Sequence, residues 1–187
     1  MTDLQLIDDL KNRDEDAFRK LLSLYGDKVF HICIGLVHNT TDAEDLTQDV
    51  FIEIFDSIGS FRGNSQLYTW IYRIAVNKSL NFVKKKVIRR RIQQIGDLFK
   101  ASNDGAIEAR DNTSPQSTLE DNELKRIIHK AIEMLPENQR IAFTLQQYND
   151  LSYREIAEVT GSTESAVDSL IVRAKQNLQK RLIQLKK

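Results

Sequence analysis

Of 187 residues only one, Cys33, is a cysteine, which excludes an internal disulfide and any zinc site built from several thiolates. Two prolines and seven glycines are too few for a chain rich in tight turns, and favour helices. No apolar run approaches the roughly 18 residues that a membrane-spanning helix needs. The opening stretch M-T-D-L-Q-L-I-D-D is acidic where a secretory leader is basic and then apolar. The three histidines, His31, His38 and His129, are scattered without metal-ligand spacing, and no glycine-rich loop of the phosphate-cradling kind occurs. These absences lead to the expectation of a cytoplasmic protein without membrane insertion, enzymatic chemistry, metal or cofactor. What is present, 41% hydrophobic and 29% charged residues, suffices for a buried core and argues against wholesale disorder.

Basic and acidic residues both number 27, so net charge by itself suggests no partner. Their placement does. Residues 1–61 carry 5 basic and 13 acidic side chains, whereas residues 62–91 carry 9 basic and no acidic ones. Residues 92–123 return to 2 basic against 7 acidic, and residues 124–187 hold 11 basic against 7 acidic. A thirty-residue run without a carboxylate, next to an acidic segment, suits a chain that touches a polyanion with one surface and another partner with a second.

Apolar spacing predicts an all-α chain of two small helical domains joined by a flexible linker. Leu4, Leu6, Ile7 and Leu10 mark a short first helix, and Phe18, Leu21, Leu22, Tyr25, Val29, Ile32, Cys33, Leu36 and Val37 a long second one. Thr41 and Glu44 have capping-box spacing ahead of Leu46, Val50, Phe51, Ile54 and Phe55. A glycine-containing loop follows over 58–65. Tyr72, Val76, Leu80, Val83 and Val87 then form one stripe of a long helix, widened by Trp70, Ile71, Ile74 and Ala75. The first domain covers 1–92. Residues 93–116 are polar, acidic and turn-rich, the composition of a linker. The second domain, 117–187, opens on Ser117 and Glu120, again at capping-box spacing. Leu124, Ile127, Ile128, Ala131, Ile132 and Leu135 follow, and Pro136 suits the first turn of the next helix.

The second domain contains a helix-turn-helix pattern. Ser152 and Glu155 have capping-box spacing; Ala157, Gly161, Val167 and Leu170 sit at the offsets where the motif needs a small residue, a left-handed turn and apolar packing. The second helix starts near Ser162 or Thr163 and turns Val167, Leu170, Ile171, Ala174, Leu178 and Leu182 inward. Glu164, Ser165, Asp168, Ser169, Arg173 and Gln176 lie outward, with Lys175 and Lys180 beyond, where a major groove can be read. The plain alternative is a helical hairpin with a glycine at its turn.

In the carboxylate-free run, Phe61, Arg62, Tyr68, Trp70, Tyr72 and Arg73 interleave aromatics with cations, as in single-stranded DNA binding. Arg73, Asn77, Asn81 and Lys84 share one helical face. Asn can read base edges and Lys can hold phosphates. Trp70 and Tyr72 also fit as core residues.

The segment F-R-G-N-S-Q-L-Y-T-W-I-Y-R-I-A-V-N closely resembles the hallmark segment of extracytoplasmic-function (ECF) sigma factors of bacterial RNA polymerase. D-A-E-D-L-T-Q-D-V-F resembles the family's preceding helix, and L-P-E-N-Q-R and L-S-Y-R-E-I-A-E-V-T-G resemble its C-terminal domain. The four pieces stand in family order and span all but the linker. The resemblance implies that Asp42, Glu44, Asp45, Gln48 and Asp49 dock on core RNA polymerase. It places Phe61, Arg62, Gly63 and Asn64 on the loop that captures a flipped −10 base, and Tyr72, Arg73, Asn77 and Lys78 on the helix that reads and melts that element. Ser165, Ser169, Arg173 and Lys175 fall on the helix that reads the −35 element of promoter DNA. Asp168 departs from the family, which often has a basic residue there, and Leu170 often aligns with another; an aspartate can still accept from a cytosine amine. An anti-sigma factor that clamps the two domains together is the further implied partner.

Two rivals stand beside this reading. A stand-alone helix-turn-helix regulator has no need of an acidic helix beside a basic and aromatic one. A metal-dependent nuclease needs clustered carboxylates at the DNA face, and here the acidic cluster precedes it.

Overall fold

The computed structural model describes residues 3–100 and 119–185, and every regular element among them is helical. In order these are α1 (Asp3–Lys11), α2 (Glu15–Val37), α3 (Thr40–Ser57), a short 3-10 turn (Ile58–Ser60), α4 (Leu67–Lys100), α5 (Leu119–Glu133), α6 (Glu137–Asn149), α7 (Tyr153–Thr160) and α8 (Glu164–Leu185).

Local chemistry sets most of the boundaries. Asp14 caps α2 by accepting from the Ala17 amide at 2.8 Å, and α2 ends where His38 adopts a left-handed conformation with φ 55°. The start of α3 departs from the capping-box expectation at Thr41 and Glu44. Asn39 is the cap, accepting from the Asp42 amide at 2.9 Å, and both expected residues lie inside the helix. Asparagine caps at least as well as threonine, and it sits where the chain leaves the left-handed His38. Pro136 stands at the cap of α6 rather than in its first turn.

In the first half, α2, α3 and α4 bury Leu21, Ile32, Leu36, Val50, Ile54 and Ile71 against one another, with Leu6 and Leu10 of α1 closing one side. The α4 stripe is buried at Tyr72 and Val76, partly buried at Leu80 and Val83, and exposed at Val87, because α4 outruns the bundle it packs on. At 34 residues α4 is about 50 Å long. Its backbone stays helical through Lys100, well into the stretch read as linker. The rest of that stretch and the expected cap at Ser117 lie outside the described residues.

In the second half, Ala131, Ile132 and Leu135 pack on Ala174 and Leu178 of α8, while Ile128 is exposed. Ile141, Leu145, Ile156, Val167 and Ile171 belong to the same continuous core as the first half. The two halves are closed on each other, α6 lying on α2 and α7 on α4.

Candidate nucleic-acid interface

Three surfaces carry the residues singled out from the sequence. On α3, Glu44, Asp45, Gln48 and Asp49 are exposed, and Asp45 and Asp49 project together one turn apart. Asp42 is half-buried and pairs with Lys86 of α4 at 2.6 Å, so its charge is partly committed inside the fold. Beside this acidic face runs an apolar groove of about 950 Å³ between α2 and α3, lined by Phe18, Leu22, Phe30, Phe51, Ile52 and Phe55. Gln48 lines it too, and the Arg13 guanidinium lies 4.7 Å from the Phe55 ring centre. Phe18, Leu22, Phe51 and Phe55 all belong to the amphipathic stripes of α2 and α3; Phe51 is buried in the core, whereas Leu22 is exposed. The available signal was an apolar stripe on α2 and α3 too wide for a single buried face.

The second surface is the loop before α4 and the start of α4. Arg62, Gly63 and Asn64 are exposed, and Gly63 takes φ 71°, where a side chain is strained. Phe61 is buried against Trp70, ring centres 5.2 Å apart, and Trp70 is half-buried. Tyr72 is a core residue. It meets Tyr25 edge-on at 6.4 Å, and burial holds its phenol well above the usual range. Phe61 and Tyr72 therefore present no ring face to a base in this conformation, the aromatic pattern having served packing. Arg73, Asn77, Asn81 and Lys84 are exposed on one face of α4. Lys78 faces away, toward α3, and pairs with Glu53 at 2.9 Å.

Arg73 and Lys84 meet the second half of the chain. The Arg73 side chain donates to the carbonyls of Glu158 at 2.5 Å and Val159 at 3.3 Å, and Lys84 pairs with Glu137 at 3.2 Å. Between them lies a cleft of about 440 Å³ lined by Asn77, Leu80, Thr160, Gly161 and Ser162.

The third surface is the helix-turn-helix of α7 and α8. The Ser152–Glu155 capping box is complete in both directions. The side-chain and backbone hydrogen bonds from Ser152 hold the Glu155 carboxyl below its ordinary range. Gly161 turns the chain with φ 67°, and Thr163 accepts from the Ala166 amide at 3.2 Å at the head of α8. Val167 and Ile171 face inward, while Ser165, Asp168, Ser169, Arg173 and Lys175 are all exposed.

The histidines are not all scattered. His38 stacks on His129 with ring centres 5.0 Å apart and planes at 21°, at the junction of α2 with α5. Helix packing joins residues that sequence spacing separates. Burial first, then the positive charges of His129 and Arg140, lower the His38 pKa to about 4.

Comparison with known proteins identifies the family. Residues 21–89 match the sigma-70 region 2 family and residues 125–178 the sigma-70 region 4 family. The chain is 32% identical to the RNA polymerase sigma-H factor of Pseudomonas aeruginosa, over 96% of this chain and 93% of that one. It is 34% identical to the ECF RNA polymerase sigma-E factor of Haemophilus influenzae, over 97% and 96% of the two chains. The Escherichia coli K12 sigma-E factor is 34% identical over 97% of this chain and 95% of its own length. Among solved structures, CnrH in complex with the cytosolic domain of CnrY shares the fold, with TM-score 0.68, 21% identity and 97% of each chain covered. The sigma factor RpoE of Bartonella quintana, in complex with the anti-sigma factor NepR, matches with TM-score 0.59 and 25% identity over 91% of this chain and 98% of that one. With both regions present in order and these relatives aligned over almost their full length, the chain belongs to the sigma-70 family of RNA polymerase sigma factors, in its ECF group.

Proposed function

We propose that this chain binds core RNA polymerase through α3, reads the −10 element as a single strand with the start of α4 and the loop before it, and reads the −35 duplex with α8. The observation that carries the reading is the exposed line Arg73, Asn77, Asn81 and Lys84, on a helix whose first thirty residues hold no carboxylate. Asn77 and Asn81 meet base edges, while Arg73 and Lys84 hold phosphates. Arg62 and Asn64 flank the captured base at the Gly63 turn. Phe61, Tyr72 and Lys78 support this surface from behind. On α3, Asp45 and Asp49 meet basic residues of the polymerase, and the apolar groove beside them adds a dry patch to the same contact. On α8, Ser165, Ser169, Arg173 and Lys175 approach the major groove, and Asp168 selects a cytosine amine. The protein works in the cytoplasm, where its DNA is. An anti-sigma factor is its regulator, a proposal supported by the related RpoE, whose structure was solved with one.

The test is Asn77→Ala and Lys84→Ala, each assayed for open-complex formation on promoters with every −10 base varied. Asn77→Ala should relax preference at one position by about 1–3 kcal/mol. Lys84→Ala should weaken all sequences alike and lower the salt slope by about one. If Asn77→Ala keeps the parent's full −10 preference, α4 is not the reader.

A further inference from the structure

Two features lie at the junction between the halves. The first is Gly35, buried in α2 where α6 crosses it. The fully buried Thr144 donates its hydroxyl to the Gly35 carbonyl at 3.3 Å. A Cβ at position 35 would lie 2.5 Å from the Thr144 Cγ2 and 3.1 and 3.3 Å from ring carbons of Tyr148. These three nearest atoms all belong to α6, so a side chain there would press on the other half of the chain and not on its own. A glycine inside a 23-residue helix weakens that helix, yet here it admits the partner helix at backbone distance.

The second feature is the end of α7. A helix leaves the carbonyls of its last turn without internal partners, and they favour a cation. The last turn of α7 holds no basic residue of its own. Arg73 of α4 supplies it, donating to the Glu158 and Val159 carbonyls. Lys84 is held by Glu137 in the first turn of α6, and Asn77 faces the cleft closed by Gly161 and Ser162. The acidic face of α3 stays exposed.

We propose that the free chain is self-inhibited without any partner: its helix-turn-helix half docks on the DNA-facing side of α4, uses Arg73 as the C-terminal cap of α7, and closes only because position 35 is glycine. The proposal rests on the reading of Arg73 and Lys84 as strand-binding residues. One guanidinium cannot cap α7 and hold a phosphate together. The affinity of the free chain for single-stranded DNA is therefore reduced by the fraction that is closed.

The experiment is a wedge in the full-length chain. Gly35→Ala, alone and with Thr144→Ser, is measured for radius of gyration by solution X-ray scattering and for binding of a mixed-sequence single-stranded 12-mer. Thr144→Ser removes the Cγ2 and keeps the hydroxyl. Gly35→Ala should expand the chain and tighten 12-mer binding by about tenfold, the scale on which overpacking shifts such an equilibrium. Core polymerase binding should be unchanged, and Thr144→Ser should restore closure and weak DNA binding. Should Gly35→Ala not fold, Glu137→Gln, which frees Lys84 at the surface, should tighten binding in the same direction by a smaller factor. A parent chain already expanded in solution, or an expanded variant that binds the 12-mer no better than the parent, overturns the proposal. If the wedge tightens binding but adding Arg73→Ala and Lys84→Ala takes nothing away, masking stands and the strand-contact assignment of those two residues is refuted instead.

Discussion

Acidification from pH 7 to pH 5 should destabilise the protein through one side chain, His38. Its imidazole is half-buried at the left-handed end of α2, stacked on His129, and its Nε2 is buried without a hydrogen-bond partner. Burial, followed by the charges of His129 and Arg140, lowers its pKa from 6.5 to about 4. The end of a helix favours a cation, but desolvation and two neighbouring positive groups outweigh that preference here. Between these two values the unfolded chain binds a proton that the folded chain refuses, so stability falls as pH falls through this window and is unaffected above it. Integrating the shift gives a loss of about 2 kcal/mol at pH 5 and about 3 kcal/mol once the window is crossed. For a chain of this size the loss at pH 5 lowers Tm by about 4–8 °C. The measurement is thermal unfolding at pH 7 and pH 5 for the parent and for His38→Gln, which cannot take up the proton. The parent should lose more than the variant by that margin. Equal losses, or a nuclear magnetic resonance titration placing His38 near 6.5, would refute the reasoning.

Ser152→Ala removes the two hydrogen bonds that the Ser152 hydroxyl makes with Glu155, keeps the one from the Ser152 backbone N–H, and should cost about 1 kcal/mol in urea unfolding. The Glu155 carboxyl, held low by those bonds, gives stability that is present above its ordinary pKa and lost as pH falls below it, so the variant should also show a smaller loss there. Asp45→Lys with Asp49→Lys, both exposed, should leave helical content and Tm near the parent's yet abolish capture of core polymerase; full capture would move the docking face elsewhere.

Where a feature was encoded locally, the sequence revealed it. The Ser152 cap, the Gly161 turn and the inward face of α8 each depend on residues a few positions apart, and each is found at its expected place. The cap of α3 was misplaced because Thr41–Glu44 matches the spacing rule while Asn39 has the geometry. In the sequence an aromatic beside cations, such as Phe61 or Tyr72, fits both a ligand surface and a core; only packing against Trp70 and Tyr25 shows that both are buried. The groove between α2 and α3, the His38–His129 stack and the Gly35–Thr144 contact join distant segments. No local pattern announces them, and Gly35 by itself looks only like a weak point in a helix.

The most direct test of the account is run-off transcription from genomic fragments by core polymerase with and without this chain. The account predicts discrete transcripts that start only when the chain is added, that share −10 and −35 elements, and that vanish with Asp45→Lys and Asp49→Lys. Tight operator binding by the chain alone, with no chain-dependent start in the presence of core polymerase, would contradict it.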